Sequence, residues 1–307
     1  MNTTQTPPND ATKYYIYGVQ GLLLVGFNAL IVATVVSHRP LLARKEYVLV
    51  ASLAFSDLWN GCGYLTAGLY RVWLIKTGRD LVLKSSFDCL LTVHNFFFIV
   101  GEPLSALMLC CISIDRLICM LNTNKYLSYG RRYAFTLVGA FYLYALTTAA
   151  AICFTSWAWG IHPFRSYFWG LRAVAGLMSV VIYLLVGVLF WQKKIVISPA
   201  ENRKHQQDLK LQKRLLVTLG LGSILTFFLL VVPTLIQTYA PGRISDSLYA
   251  FVGPYAGIVA NLNAMSNLFL LGFRHDDIRA GLKYLIKCQN MPENDGQTVM
   301  AVGGNKL

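Results

Sequence analysis

Apolar stretches recur along this chain at roughly 14–36, 47–70, 90–114, 134–156, 168–191, 215–239 and 247–272, with mostly short polar connections between them. Each is able to cross a hydrocarbon core, which takes about 20 helical residues. Lipid offers the backbone no hydrogen-bond partner, so a segment of this length spans as a helix. The pattern predicts an all-α membrane protein, a seven-transmembrane helix bundle with its termini on opposite sides. After the last stretch, Ile278, Leu282 and Leu285 stand at helical spacing among Arg274, Arg279, Lys283 and Lys287. That stripe predicts a short amphipathic eighth helix, 274–287, on the membrane surface. The expected organisation is an N-terminal segment 1–13, a membrane domain 14–287 without repeats, and a tail 288–307 whose Gly, Asn and Pro content reads as disordered.

Composition supports this picture. Of 307 residues 55% are hydrophobic and 13% charged, too few charges to cover a soluble surface. Orientation follows from the basic residues, which are enriched in cytoplasmic loops. About 19 of the 27 lie at 39–45, 116–132, 193–214 or beyond 274, and about eight lie on the other side. The N-terminus is expected outside the cell membrane and the C-terminus in the cytoplasm. The net charge of +13 is then a collar facing anionic lipid rather than a nucleic-acid surface. The polar segment 1–13 precedes a stretch long enough to span, so the first helix is expected to serve as its own signal anchor. Asn2-Thr3-Thr4 is a glycosylation sequon on the expected outer side.

Four of the seven cysteines, Cys62, Cys110, Cys111 and Cys119, read as small buried hydrophobes. Cys89 and Cys153 lie near the oxidising face, where a disulfide between them would persist. Cys288, closing the surface helix, is either a palmitoylation site or a plain thiol.

Ionisable residues within apolar spans carry the chemistry, because a charge at mid-bilayer costs about 2.5–3.5 kcal/mol on insertion scales. Asp57 would sit near the bilayer centre, and Glu102 precedes Pro103 in the third stretch. Asp115-Arg116 falls where that stretch meets the cytoplasm. Pro233, midway along the sixth, removes a helix hydrogen bond and kinks it. A transporter is expected to show paired halves and interrupted helices, and no repeat is found. An intramembrane hydrolase needs converging histidines or paired aspartates, yet the five histidines stand singly and Asp57 is the one aspartate deep in a span. No phosphate-binding loop is present, and the chain is not read as an enzyme.

Gly26-Phe27-Asn28, Leu53-Ala54-Phe55-Ser56-Asp57, Asp115-Arg116-Leu117 and Asn267-Leu268-Phe269-Leu270-Leu271 occur in this order on the first, second, third and seventh stretches. With Gly272-Phe273-Arg274 leading into the surface helix, the chain from Tyr14 to Cys288 resembles a rhodopsin-like (class A) G-protein-coupled receptor. The resemblance implies that Asp115 and Arg116 pair at rest and that Arg116, once freed, faces a heterotrimeric G protein. It makes Pro233 the pivot of the sixth helix, Tyr183 a support for the freed arginine, and Asn267 part of the seventh-helix switch. It also implies that Ser105, Asn263 and Asn267 converge on Asp57, a set of oxygen donors suited to a sodium ion or to bridging water. Departures from the family pattern are Val231, Leu268, Leu271 and Ala175 at places usually held by Trp, Pro, Tyr and Pro. Lys213 stands where some members carry an acid that locks the arginine, which predicts appreciable basal activity. Asn261 holds the place of the retinal lysine, so no retinal cofactor is expected.

By the same resemblance the ligand site lies in the outer halves of the third, fifth, sixth and seventh helices, with His94, Phe98, Glu102, Gln237 and Tyr255 as candidate contacts. Phe98 at the position of the amine-receptor aspartate argues against a biogenic amine. Short termini, low charge and lost signature residues together resemble divergent invertebrate, nematode-type chemoreceptors, whose ligand would be a small extracellular cue. A neuropeptide receptor of the same family and an ion-coupled transporter are the alternative readings.

Overall fold

A computed structural model describes residues 11–79, 88, 90, 92–159, 164–196, 220–239, 255, 257–266, 276–287 and 289. Asn2, Cys89, Lys213, Asn267, Cys288 and the tail residues 290–307 therefore lie outside the described residues, as does the side chain of Gln237. The described residues contain helices and turns and no strand.

The elements follow the apolar stretches closely: α1 Thr12–Ser37, α2 Arg39–Leu42, α3 Lys45–Lys76, α4 Val93–Leu121, α5 Thr123–Ser128, α6 Arg131–Trp159 and α7 Phe164–Val196. Then come α8 over 220–239, α9 over 257–266 and the short helix α10, Asp276–Ile286. Four of them, α1, α4, α6 and α7, are long and apolar enough to cross a membrane. The polar face of α3, with Ser56, Asp57 and Asn60 buried, lowers its hydropathy although its 32 residues suffice in length. Two short helices the apolar pattern did not mark, α2 and α5, cap the connections. The connection between α6 and α7 is shorter than the expected 157–168, because α6 continues to Trp159 and α7 begins at Phe164.

Lipid-like surroundings explain which faces are apolar. Val19, Leu22 and Phe27 on α1, Leu143, Leu146 and Phe154 on α6, and Val181, Leu184 and Trp191 on α7 are exposed. Stripes of this size fit a hydrocarbon solvent rather than water. By contrast α4 is the central helix, packed against α3, α6 and α7, and Leu104, Ala106, Met108 and Cys111 along it are almost completely buried. Glycines let α1 and α3 approach: a Cβ built on Gly21 would collide with the backbone of Leu65, and one on Gly68 would stand 2.6 Å from Gly18 N. Small residues bring membrane helices close in this way, where van der Waals packing replaces the hydrophobic drive.

In α8 the turn Phe227–Val231 is wound as a π-helix immediately before Pro233, with Leu230, Val231 and Thr234 buried. Proline cannot supply its amide to the ladder, and Thr234 Oγ1 donates to the Leu230 carbonyl at 2.6 Å. A wide turn beside a proline is a recognised place for a helix to bend.

Candidate functional site: three buried carboxylates

Asp115 and Arg116 close the last turns of α4, and the structure brings them together. Arg116 Nε stands 3.6 Å from Asp115 Oδ2. Neither Arg116 Nε nor Asp115 Oδ1 makes a hydrogen bond among the described residues, so the pair is held by charge rather than by a directed bond. Asp115 is fully buried, whereas the Arg116 side chain is 13% exposed. The carboxylate also accepts a hydrogen bond from the Tyr126 hydroxyl at 3.0 Å. Burial pushes the Tyr126 phenol well above its ordinary range, against the opposing pull of Arg116, so it keeps the proton it donates.

The sequence explains why Tyr126 is there. Asn122 caps α5 by accepting from the Lys125 amide, and the short helix turns Tyr126 back toward α4. Lys45, at the start of α3, donates to the Tyr126 carbonyl and, at 3.1 Å, to the Tyr129 carbonyl. Its ammonium also lies 3.5 Å from the centre of the Tyr126 ring. The connection after α4 is thereby held from two helices at once. Tyr183 on α7 is within electrostatic reach of Arg116 and faces Ser113. Lys45 and Tyr126 were not among the sequence candidates; their signal was the acid and base flanking an apolar stretch, which does not reveal a partner on another element.

The second carboxylate is Glu102, midway along α4. Its Oε1 accepts from the Tyr64 hydroxyl of α3 at 3.1 Å, and its Oε2 lies 3.4 Å from Arg172 Nη1 of α7. Arg172 was not anticipated. It lies near the start of the fifth apolar stretch, where an arginine ordinarily reaches out to the interface, yet here its side chain is 4% exposed and points into the helices. Glu102 is the more accessible partner, at 17%. Around this pair, Phe98 rests edge-on against Tyr64 with centroids 4.8 Å apart, and His94 lies 5.3 Å from Tyr70. His94 and Phe98 therefore pack against α3. Tyr255 is exposed.

Asp57, the third, is buried on α3 with Ser105 beside it, and Arg172 within electrostatic reach. Asn263 is buried as well, and its Oδ1 accepts from Thr226 of α8 at 3.1 Å, tying α8 to α9. Asn28 donates within its own helix to the Leu24 carbonyl at 2.9 Å. Asn261 donates to Gln20 of α1 at 3.4 Å. Asp57 and Ser105 are thus the part of the expected sodium set that the described residues bring together. Among those residues no group of three or more His, Cys, Asp or Glu could hold a metal ion. Cys153 is a free, exposed thiol on α6.

Long apolar helices around a central helix that carries paired acids and bases define a multi-pass helical membrane protein. No family model matches the chain. It is 26% identical to human "G-protein coupled receptor 6" over 88% of its own length and 73% of that protein. It is 25% identical over the same shares to the rat and mouse proteins of that name. This distant similarity supports a class A G-protein-coupled receptor, and the relatives are receptors rather than enzymes.

Proposed function

We propose that the chain is a receptor whose seven spans, with α10 as the surface helix, bind an extracellular small molecule and activate a heterotrimeric G protein. The carrying observation is the Asp115–Arg116 pair: the base is loosely held, it is the accessible member, and Tyr126 secures the acid. In this reading the N-terminus is outside, the Leu121 end of α4 faces the cytoplasm, and α8 swings about Pro233 to uncover Arg116. A ligand shifts that equilibrium only through its preference for the open state. Asp57 and Ser105 offer hard oxygen donors that would suit a sodium ion or a proton in the closed state.

The test is G-protein activation in cells expressing the intact chain or Arg116→Ala at matched surface levels, without ligand and then with pools of odorants and peptides. A signal in the wild type that the substitution abolishes is expected, and response to the small-molecule pool would identify a chemosensory cue of the nematode-receptor kind. No signal from the wild type under any pool, despite surface expression, would overturn the reading.

A further inference from the structure

A singly charged ligand would meet a difficulty at Glu102. Its carboxylate is already matched by the Arg172 guanidinium at 3.4 Å and by the Tyr64 hydroxyl at 3.1 Å. An ammonium that captured Glu102 would take from the more deeply buried Arg172 its ion-pair partner, leaving it the more distant field of Asp57. An acid that captured Arg172 would strand Glu102. Removing one member of a buried pair leaves an uncompensated charge, which costs far more than replacing both with uncharged groups.

The geometry also fixes which partner is met first. Glu102 is partly accessible and Arg172, reaching from α7 to α4, is the more deeply buried partner. Tyr64 holds the other carboxylate oxygen and is itself buried, edge-on to Tyr17 and Phe98. Asp57 is the next carboxylate within reach of Arg172, but it lies deeper on α3 beside Ser105. The pair therefore joins α3, α4 and α7 without presenting a net charge to the space beside Glu102.

We propose that Glu102 and Arg172 act as one charge-balanced recognition unit, so that the molecule accepted among these helices carries no net charge. This rests on the receptor reading, and it makes Arg172 a specificity-determining residue. Removing either member converts the site: Arg172→Gln selects cations and Glu102→Gln selects anions. The double substitution restores the neutral preference.

The test uses the purified full chain in lipid nanodiscs and needs no G protein, so its failure is distinct from failure of the signalling reading. Thermal unfolding midpoints are measured for the wild type, both single variants and the double variant, alone and with benzylammonium, benzoate or benzyl alcohol. Each single variant is expected to lose stability, with most of the loss recovered in the double. Benzoate should raise the midpoint of Glu102→Gln, and benzylammonium that of Arg172→Gln, each well above its effect on the wild type. If a single variant does not fold while the double does, the coupling stands. Additive losses, a double variant that fails to fold, or a wild type stabilised more by one ion than by the alcohol would overturn the proposal.

Discussion

Two acid–base pairs draw their acids from the same helix, about 20 Å apart along its axis at 1.5 Å per residue, and they are built as opposites. At Asp115–Arg116 the acid is sealed and the base accessible; at Glu102–Arg172 the base is sealed and the acid accessible. Each carboxylate takes one hydrogen bond from a tyrosine on a neighbouring element, Tyr126 or Tyr64. The first pair is local and needs only one helix end to exist. The second is made by α4 and α7 together and depends on their packing. A local pair can release its accessible arginine without disturbing the bundle, whereas the long-range pair resists rearrangement of the helices it joins.

The sharpest way to break the comparison is to delete each arginine. Arg172→Met should cost about 3–5 kcal/mol, because the Glu102 carboxylate loses its counter-charge within the helices. Arg116→Met should cost less, since the sealed Asp115 keeps the Tyr126 hydroxyl and has a second cation, Lys45, within electrostatic reach, yet it should remove G-protein activation. Melting midpoints alongside signalling separate the two effects: equal destabilisation would mean that the pairs are not different in kind.

This contrast also explains what the sequence made legible. Asp115 and Arg116 are neighbours in the chain, so their pairing needed no knowledge of packing. Glu102 was legible as a lone acid in an apolar stretch; Arg172, 70 positions away in sequence, was not, because an arginine four residues into such a stretch ordinarily snorkels. Tyr64 and Tyr126 are two of 17 tyrosines, and no periodicity distinguishes a donor from a packing ring. Four of the spans, α1, α4, α6 and α7, were legible from hydropathy, but their ends were not. Lys45 and the segment 115–121 remain helical because tertiary partners satisfy polar groups that hydropathy alone counts against a span. The π turn before Pro233 left no mark beyond the proline itself.

Removing the two tyrosine hydroxyls sharpens the comparison at a smaller scale. Tyr126→Phe should cost about 1.5–3 kcal/mol, the usual worth of a hydrogen bond to a charged group, and should raise basal signalling by weakening the restraint on the connection after α4. Tyr64→Phe should cost less, because Glu102 retains Arg172 and some exposure, and should leave basal signalling unchanged. Basal activity per receptor at the surface is the deciding readout; a rise in the Tyr64 variant equal to that in the Tyr126 variant would show that the two hydroxyls restrain the same movement.

The smallest effect is expected at a third pair, where a buried acid meets an arginine that water can still reach. Asp277 on α10 accepts from Arg44 at 2.9 Å and from the Tyr47 hydroxyl at 2.5 Å, and the Arg44 side chain is 30% exposed. Charge alone does not hold this helix, because Ile278 is buried against α1 and α3, and a Cβ on Gly281 would press on Thr34 and Leu41. Asp277→Asn keeps an oxygen for Tyr47 and loses only the attraction to Arg44, which solvent already screens, so about 0–1 kcal/mol is expected. Hydrogen exchange over 276–286 measures the outcome directly. Unchanged protection would mark α10 as docked by packing; complete loss of protection would show that a partly exposed ion pair governs the surface helix as strongly as the sealed one governs the bundle.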